Sequence, residues 1–238
     1  MKITTVLFDL DGTLLPMDQD LFITAYFKGL AARLAPHGYD PAALIDSIWK
    51  GTAAMVRNVG VKTNEAVFWD CFASVFGEES RKDEPKFREF YETDFQKVQQ
   101  VCGYHPAARE IIDHVKAKGL TAVLATNPIF PAIATESRIR WAGLSTDDFA
   151  LYTTYENSSF CKPNPAYYRE ILTKLNLQPE ECVMVGNDVI EDTAALQAGI
   201  SQVFLLTDCL INKDGRDITP FPHGGFGDLA DFIDHLNK

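Results

Sequence analysis

The amino-acid sequence predicts an α/β fold in which a parallel sheet carries an inserted group of helices, and three observations support this prediction. The run VLF at residues 6–8 is continuously apolar, which is typical of a strand covered on both faces. From Gly103 onward, helical and strand patterns alternate, and such alternation implies crossover connections between parallel strands. Between these two parts, residues 18–100 read as a succession of helices.

The inserted segment has its own helix start and stop residues. Asp40-Pro41, for example, is a helix cap followed by proline at the first helical position. Aromatic residues along one face of the last two helices predict packing surfaces. The four predicted helices span residues 18–38, 40–59, 63–77 and 84–100. We therefore predict a core of residues 1–16 and 101–238 and a helical domain of residues 17–100.

After Gly103, the sequence pattern predicts helices and strands in regular alternation. A helix that stops at Gly119 precedes the buried strand LTAVLAT, and the same pattern then repeats. The predicted helices span residues 107–119, 132–142, 165–175 and 192–199, and the predicted strands span residues 120–126, 149–154, 182–186 and 202–206.

Composition narrows the possible partners and compartment. With 22 basic and 33 acidic residues the formal net charge is −11, so the long-range field repels nucleic acid and anionic membranes. The first residues lack the apolar core of a signal peptide, and no apolar run approaches membrane-spanning length. The five cysteines are an odd number without close pairing, which suits a reducing compartment. We expect a cytoplasmic protein that binds neither nucleic acid nor membrane; the sequence does not indicate an oligomeric state.

Polar residues follow the predicted strands at the points where the strands end. Asp9 and Asp11 follow the first strand, and Asp11-Gly12 in isolation also fits a hairpin turn. No return strand follows Thr13, however, so the two carboxylates are expected at the carboxyl edge of a parallel sheet, where such sheets bind ligands. The segments LATN, KPNP and GNDVIED supply further polar residues in later turns.

Together, DLDGT, LATN, KPNP and GNDVIED resemble the four successive motifs of the haloacid dehalogenase superfamily of hydrolases. The resemblance covers residues 1–16 and about 100–210, and its first motif is highly specific. It implies a Rossmann-like core, and the inserted helices match the position of the helical cap that many members carry between the first and second motifs.

The chemistry that the resemblance implies suits these residue types. Asp9 is expected to attack phosphorus, because a carboxylate nucleophile divides one difficult displacement into two easier steps. Asp11 is expected to protonate the leaving alkoxide and then to take a proton from the hydrolytic water, as its family counterpart does. Gly12 is expected to let the chain bend so that backbone amides approach the phosphoryl oxygens, placing it at the substrate.

The second and third motifs are expected to complete the phosphate site. The Thr126 hydroxyl and the Asn127 backbone amide are predicted donors to the phosphoryl oxygens. Lys162 precedes a proline, which disfavours helical backbone and keeps the residue in an extended loop from which its ammonium reaches the phosphate. Magnesium fits such an oxygen-rich site, with Asp9, Asp11 and Asp188 as the predicted ligands.

The fourth motif departs from the family pattern. Members commonly have Asp directly after the glycine that ends the strand, whereas here Gly186 is followed by Asn187. Because Mg²⁺ favours anionic oxygen, we expect Asp188 to be the acidic ligand, with Asn187 and Asp192 as alternatives. Asp192 is placed to cap the following helix or to orient Lys162 through an ion pair.

The favoured function is magnesium-dependent hydrolysis of a small phosphorylated metabolite through an aspartyl-phosphate. Sugar-phosphate mutase chemistry, halide displacement by Asp9, a phosphoacceptor signalling module and a non-catalytic binding protein are the alternatives. Asp11 argues against halide displacement, which requires neither that acid nor a metal. Arg57, near the break between the second and third inserted helices, is the predicted substrate contact of the cap.

Overall fold

A computed structural model describes residues 2–238 and confirms the predicted α/β class. A five-stranded sheet with the order β2-β1-β3-β4-β5 forms its centre, and every neighbouring pair is parallel. The strands are β1 (Thr5–Phe8), β2 (Thr121–Leu124), β3 (Cys182–Gly186), β4 (Gln202–Leu206) and β5 (His223–Gly224).

Strand β1 is an interior strand of the sheet, since it pairs with β2 on one side and with β3 on the other. Its side chains alternate between two apolar clusters: Val6 and Phe8 belong to one cluster and Leu7 belongs to the other. Both faces are therefore covered, which explains why the run VLF is continuously apolar. The chain leaves β1 towards β2 and later returns to β3, so the strand order reverses at the carboxyl end of β1, where open α/β sheets bind ligands.

The inserted segment is helical, and the predicted helix starts are confirmed. The side chains of Asp18, Asp40 and Thr63 each accept backbone N–H bonds at the first turn of a helix. The four α-helices are α1 (Gln19–Leu34), α2 (Pro41–Val56), α3 (Asn64–Phe76) and α4 (Glu84–Glu92). No strand of the described chain falls within residues 17–100, whereas the division into two domains stays a prediction.

The fourth predicted helix is shorter than the sequence pattern indicates. Helix α4 ends at Glu92, and the residues that follow form a 3₁₀ helix, Asp94–Val101. The Thr93 hydroxyl donates to the Glu89 carbonyl (2.7 Å) and accepts from Arg33 (2.7 Å). Side-chain bonds of this kind compete with the helical backbone pattern and account for the break.

The two chain crossings between the inserted segment and the sheet lie side by side. Met17 and Cys102 form an antiparallel bridge, and the Gly103 N–H donates to the Pro16 carbonyl (2.7 Å). A Cβ on Gly103 would lie 2.9 Å from the Pro16 side chain, so the close approach requires glycine at this position.

The remaining helices support the sheet, with two corrections to the sequence prediction. They are α5 (Ala107–Ala117), α6 (Ala132–Trp141), α7 (Pro165–Leu175) and α8 (Phe226–His235). The predicted strand at residues 149–154 contributes only a bridge between Tyr152 and Leu124, because the Thr154 N–H turns to bond the Asn157 side chain (2.9 Å). The predicted helix at residues 192–199 is a 3₁₀ helix, Thr193–Ala198. None of the described helices has the length and apolar character needed to cross a membrane.

Candidate active site

The turn after β1 places Asp9 at the carboxyl edge of the sheet. Its N–H donates to the Val185 carbonyl of β3 (2.9 Å), so Asp9 continues the sheet pairing. Gly12 then turns the chain with φ +83°, and a Cβ there would lie 2.3 Å from the Asn187 side-chain nitrogen. The Gly12 N–H donates to the Leu15 carbonyl (2.8 Å). Gly12 therefore forms the turn, its own amide is used within the protein, and its predicted place at the substrate stays a prediction.

Asp9 is a buried carboxylate held by a lysine. The residue is 7% exposed, and Lys162 Nζ donates to Asp9 Oδ1 (2.8 Å). Thr13 Oγ1 lies 3.4 Å from Asp9 Oδ2 but donates over a shorter distance, 2.9 Å, to Asn187 Oδ1. Oδ2 is consequently the less engaged of the two Asp9 oxygens.

Lys162 is buried between two carboxylates, and this position determines its charge. It is 1% exposed, and its Nζ also donates to Asp192 Oδ1 (2.7 Å). Burial lowers the pKa of Lys162, but Asp192 and Asp9 outweigh this effect and raise the pKa well above its usual value. Burial raises the pKa of Asp9 to about 7, with Lys162 opposing the shift and Asp192 adding to it. A protonated lysine therefore lies beside the Asp9 carboxylate.

Local structure explains how Lys162 reaches this point. The loop that carries it leads into α7, whose first turn is capped by Asn164: the Asn164 side chain accepts from the Ala166 N–H (2.9 Å). Pro165 occupies the first helical position. The predicted cap and proline start are confirmed, and together they end the loop within three residues of the lysine.

Asp11 is paired with an arginine that the sequence analysis did not single out. Arg138 of α6 is fully buried; its Nη1 donates to Asp11 Oδ2, and its guanidinium carbon lies 4.5 Å from the centre of the Phe130 ring. Asp11 Oδ1 is buried and has no hydrogen-bond partner among the described residues. Burial raises the pKa of Asp11, and Arg138 and Lys162 oppose the shift. Arg138 thus holds one oxygen of Asp11, and the other oxygen is buried without a protein partner in the described chain.

Thr126 and Asn127 extend β2 to the same edge and line the same cavity as Asp9. The Thr126 carbonyl accepts hydrogen bonds from Thr153 Oγ1 (2.6 Å) and from the Tyr167 hydroxyl (2.8 Å), which hold the strand end in place. Asn127 Nδ2 donates to both oxygens of Glu191 (3.1 Å each). Burial raises the pKa of Glu191 to about 7. The structure thus brings both predicted donors to the site.

Asn187 is a structural residue of the site. Its Oδ1 accepts from Thr13 Oγ1 (2.9 Å), and its Nδ2 donates to the Cys209 carbonyl (2.7 Å). Both ends of the amide are therefore engaged with protein groups. Asn187 ties the β1 turn to the segment after β4, and this role explains an amide where the family commonly has Asp.

Asp188 and Asp192 have different surroundings. Asp192 is fully buried; its Oδ1 accepts from Lys162 and its Oδ2 accepts from the Asp188 N–H (2.9 Å), so both oxygens are used. Asp188 lines the cavity and accepts the N–H bonds of Ile190 and Glu191 (2.8 Å each), both through Oδ1. Asp192 positions Lys162, whereas Asp188 retains an oxygen that the described hydrogen bonds do not use.

A cavity of about 240 Å³ joins these carboxylates to the inserted helices. Arg57 is exposed at the end of α2 and does not line it. The first residue of α3 reaches the core, since Asn64 Nδ2 donates to the Pro128 carbonyl (3.2 Å). Lys62, in the loop between α2 and α3, pairs with Asp70 (2.7 Å) at the surface. The structure therefore does not bring Arg57 to the cavity, and its contact with substrate stays a prediction.

Comparison with known proteins assigns the family. A family model of haloacid dehalogenase-like hydrolases matches residues 3–199 of the chain. The chain belongs to this family. Among curated proteins, none matches the sequence.

Solved structures show the same fold over nearly the whole haloacid dehalogenase-like chain. A 2-haloacid dehalogenase from Pseudomonas syringae pv. Tomato DC3000 is 21% identical with a TM-score of 0.63, and 98% of each chain is covered. A HAD phosphatase from Thermococcus onnurineus is 17% identical with a TM-score of 0.60, covering 97% of this chain and 98% of the other. CbbY from Rhodobacter sphaeroides, solved in complex with phosphate, is 19% identical with a TM-score of 0.59, covering 95% and 96%. At these identities the likeness concerns the fold alone.

The three predicted metal ligands of this haloacid dehalogenase-like hydrolase differ in their surroundings. Within residues 2–238, no group of three or more His, Cys, Asp or Glu side chains is arranged to hold a metal ion. Asp11 is paired with Arg138, whereas Asp9 and Asp188 line the cavity without an arginine partner. Carboxylates of this kind fit Mg²⁺, which binds through one or two of them and keeps several waters. The ligand set stays a prediction.

Proposed function

We propose that this protein hydrolyses a phosphomonoester of a small molecule through an aspartyl-phosphate on Asp9. One observation carries the proposal: Asp9 borders a cavity, is held by the buried cation of Lys162 at 2.8 Å, and has a second carboxylate, Asp11, two residues along the chain. A nucleophile, a charge that stabilises the phosphoryl group and an acid/base group are the components that such a displacement requires.

The reaction proceeds in two displacements. Asp9 Oδ2 attacks phosphorus, the bond from phosphorus to the alcohol oxygen breaks, and the carboxyl group of Asp11 gives a proton to that oxygen. A water molecule then attacks phosphorus while Asp11 takes its proton, the bond from phosphorus to Asp9 breaks, and inorganic phosphate leaves. The residues Thr126 and Lys162 donate to the phosphoryl oxygens in both steps.

Arg138 has a positioning role in this scheme. Its guanidinium holds one oxygen of Asp11 and is itself fixed by burial and by its contact with Phe130. The carboxyl group of Asp11 therefore keeps one orientation, so no free energy has to be spent on ordering it during proton transfer. Halide displacement has no use for this acid, so the buried pair of Asp11 and Arg138 favours phosphate ester chemistry.

Magnesium is the proposed cofactor, with Asp9 and Asp188 as the residues that hold it. When bound, it supplies positive charge that offsets the negative charge of the phosphoryl group. Asp188 suits this role because its carboxylate lines the cavity and both of its hydrogen bonds use the same oxygen.

The choice of metal ligand is tested by three variants. Asp188→Asn is expected to weaken Mg²⁺ binding by about 10-fold to 100-fold, because an amide attracts the ion less than a carboxylate does. Asn187→Ala and Asp192→Asn are expected to lose less affinity, since neither side chain offers a free oxygen. Calorimetric titration of Mg²⁺ into each purified protein measures this without reference to turnover. A larger loss at either of the other two positions would overturn the assignment to Asp188.

The reaction class is tested by product analysis. Wild-type protein is expected to release inorganic phosphate from monophosphate esters only when Mg²⁺ is present. An isomerised phosphate ester in place of free phosphate would instead assign mutase chemistry, and halide release from a 2-haloacid without metal would assign dehalogenation. A protein that binds the esters and leaves them intact would be a binding protein.

A further inference from the structure

The cavity walls beyond the carboxylates are aromatic. The inserted helices contribute Phe22, Tyr26, Phe68 and Trp69 to the lining, and each of these residues is less than 9% exposed. Phe130 adds an aromatic wall from the core side. Buried aromatic faces of this kind recognise apolar or flat groups through burial and stacking. The alcohol part of the substrate would therefore pack against aromatic side chains.

The same walls carry no positive charge. Among the described residues that line the cavity, none is Lys, Arg or His, and all the charged ones are acidic. The two nearby cations are already used: Lys162 is 1% exposed and bonded to Asp9 and Asp192, and Arg138 is fully buried against Asp11. A second anionic group on the substrate would therefore lie in an apolar, acid-lined space without a partner.

The walls that the inserted segment contributes offer few polar partners. The hydroxyls of Tyr26 and Tyr91 are hydrogen-bonded to each other (2.9 Å). Among the aliphatic polar side chains of the inserted segment, Gln19 and Thr52 line the cavity. A sugar presents several hydroxyls at once, and those that face the inserted helices would lie mainly against aromatic rings.

The cavity has room for one aromatic ring beside the phosphoryl group. Its volume is about 240 Å³, and an apolar cavity of about 150 Å³ is sufficient to bind benzene.

From these observations, and resting on the proposed phosphatase function, we infer that the substrate is a monophosphate ester of an aromatic or arylalkyl alcohol with no second negative charge. Hydrolysis converts it to the neutral alcohol and inorganic phosphate. Sugar phosphates, bisphosphates and phosphorylated carboxylic acids are poor substrates.

Three matched esters separate charge from size. In the presence of Mg²⁺, 2-phenylethyl phosphate is compared with its derivatives that carry a carboxamide or a carboxylate at ring position 4. All three esters have the same kind of leaving group, a primary alcohol remote from the ring substituent. Glucose 6-phosphate represents the sugars. We expect kcat/KM for the carboxylate to fall at least about 100-fold below that for the isosteric carboxamide, because only the carboxylate buries an unpaired charge. Glucose 6-phosphate is expected to fall below 2-phenylethyl phosphate by a similar factor.

A variant that adds a positive charge to the cavity wall tests whether the lack of one causes the discrimination against the carboxylate. Thr52→Lys places an ammonium in the cavity wall and is expected to raise kcat/KM for the carboxylate relative to the carboxamide by at least about 10-fold. Thr24→Lys makes the same change on the exposed face of α1 and is expected to leave the ratio unchanged. Thermal unfolding of both variants verifies the fold.

The outcomes distinguish this inference from the proposed function. Phosphate release from the carboxylate at the rate of the carboxamide, or a preference for glucose 6-phosphate, would overturn the inference and leave the phosphatase function standing. Release of phosphate from none of the esters would overturn the inference, and the proposed function would fall with it only if wild-type protein also bound no beryllofluoride. If Thr52→Lys does not fold, the comparison of the three esters with wild-type protein still decides.

Discussion

Replacing Asp9 with Asn is expected to abolish phosphate release, lowering kcat by at least about 10⁴-fold, because an amide has nearly the shape of a carboxylate but is a poor nucleophile. The fold is expected to persist. The amide oxygen still accepts from Lys162, and a neutral side chain costs less to bury than a carboxylate does. Turnover of a phosphate ester, together with thermal unfolding of the same sample, measures both effects.

A second readout does not depend on turnover. Wild-type protein is expected to bind beryllofluoride, a phosphoryl mimic that attaches to carboxylates, and Asp9→Asn is expected to bind none; fluorine NMR detects the bound species. The matched control is Asp231→Asn, the same substitution at an exposed aspartate of α8 outside the site, which is expected to change neither turnover nor beryllofluoride binding. Near-normal turnover by pure Asp9→Asn protein would exclude covalent catalysis by this residue.

The sequence predicted the parts of the site that depend on strand ends. Asp9, Thr126 and Asp188 each follow a strand whose pattern is continuously apolar, and parallel strands bring such positions to one edge. Lys162 was predicted by its motif and by the proline after it. Chain order and apolar runs were sufficient to locate the strand ends, whereas the roles of these residues were predicted by the resemblance of the four motifs to the family.

The parts that were missed depend on contacts between distant segments. Arg138 and Arg140 lie two residues apart in α6, and no spacing tells which of them is buried against Asp11, 127 residues away. Similarly, Arg57 had the charge expected of a substrate contact, but it does not line the cavity, and Asn64 at the start of α3 makes the contact with the core instead. A side chain's partner across the fold is not encoded in the pattern of its own element.

The role of the aromatic faces of the inserted helices was predicted only in part. Their spacing predicted packing, and Phe72 and Phe90 are indeed fully buried. Phe68 and Phe87, on the same faces, also line the cavity. Periodicity indicates which side of a helix is apolar, but whether that side meets another helix or a substrate depends on how closely the neighbouring elements approach.

Replacing Lys162 with Met is expected to have two large effects. The change leaves Asp9 and Asp192 buried without their shared cation, so the free energy of unfolding should fall by about 3–5 kcal/mol. Phosphate release should fall at least about 100-fold, because the phosphoryl group loses a fixed positive charge in a site of low dielectric. Lys82→Met, at an exposed ion pair with Glu79, is the matched control and is expected to change stability by less than about 1 kcal/mol and activity not at all.

The double variant Lys162→Met with Asp192→Asn separates the two effects. Removing the unpaired Asp192 charge is expected to restore part of the lost stability, because the amide is neutral and is still able to accept from the Asp188 N–H. It is not expected to restore phosphate release, since the cation beside Asp9 is still missing. Denaturant unfolding and steady-state kinetics on the same preparations measure both. Recovery of activity together with stability would reduce Lys162 to a structural residue, whereas recovery of stability alone places its charge in the reaction.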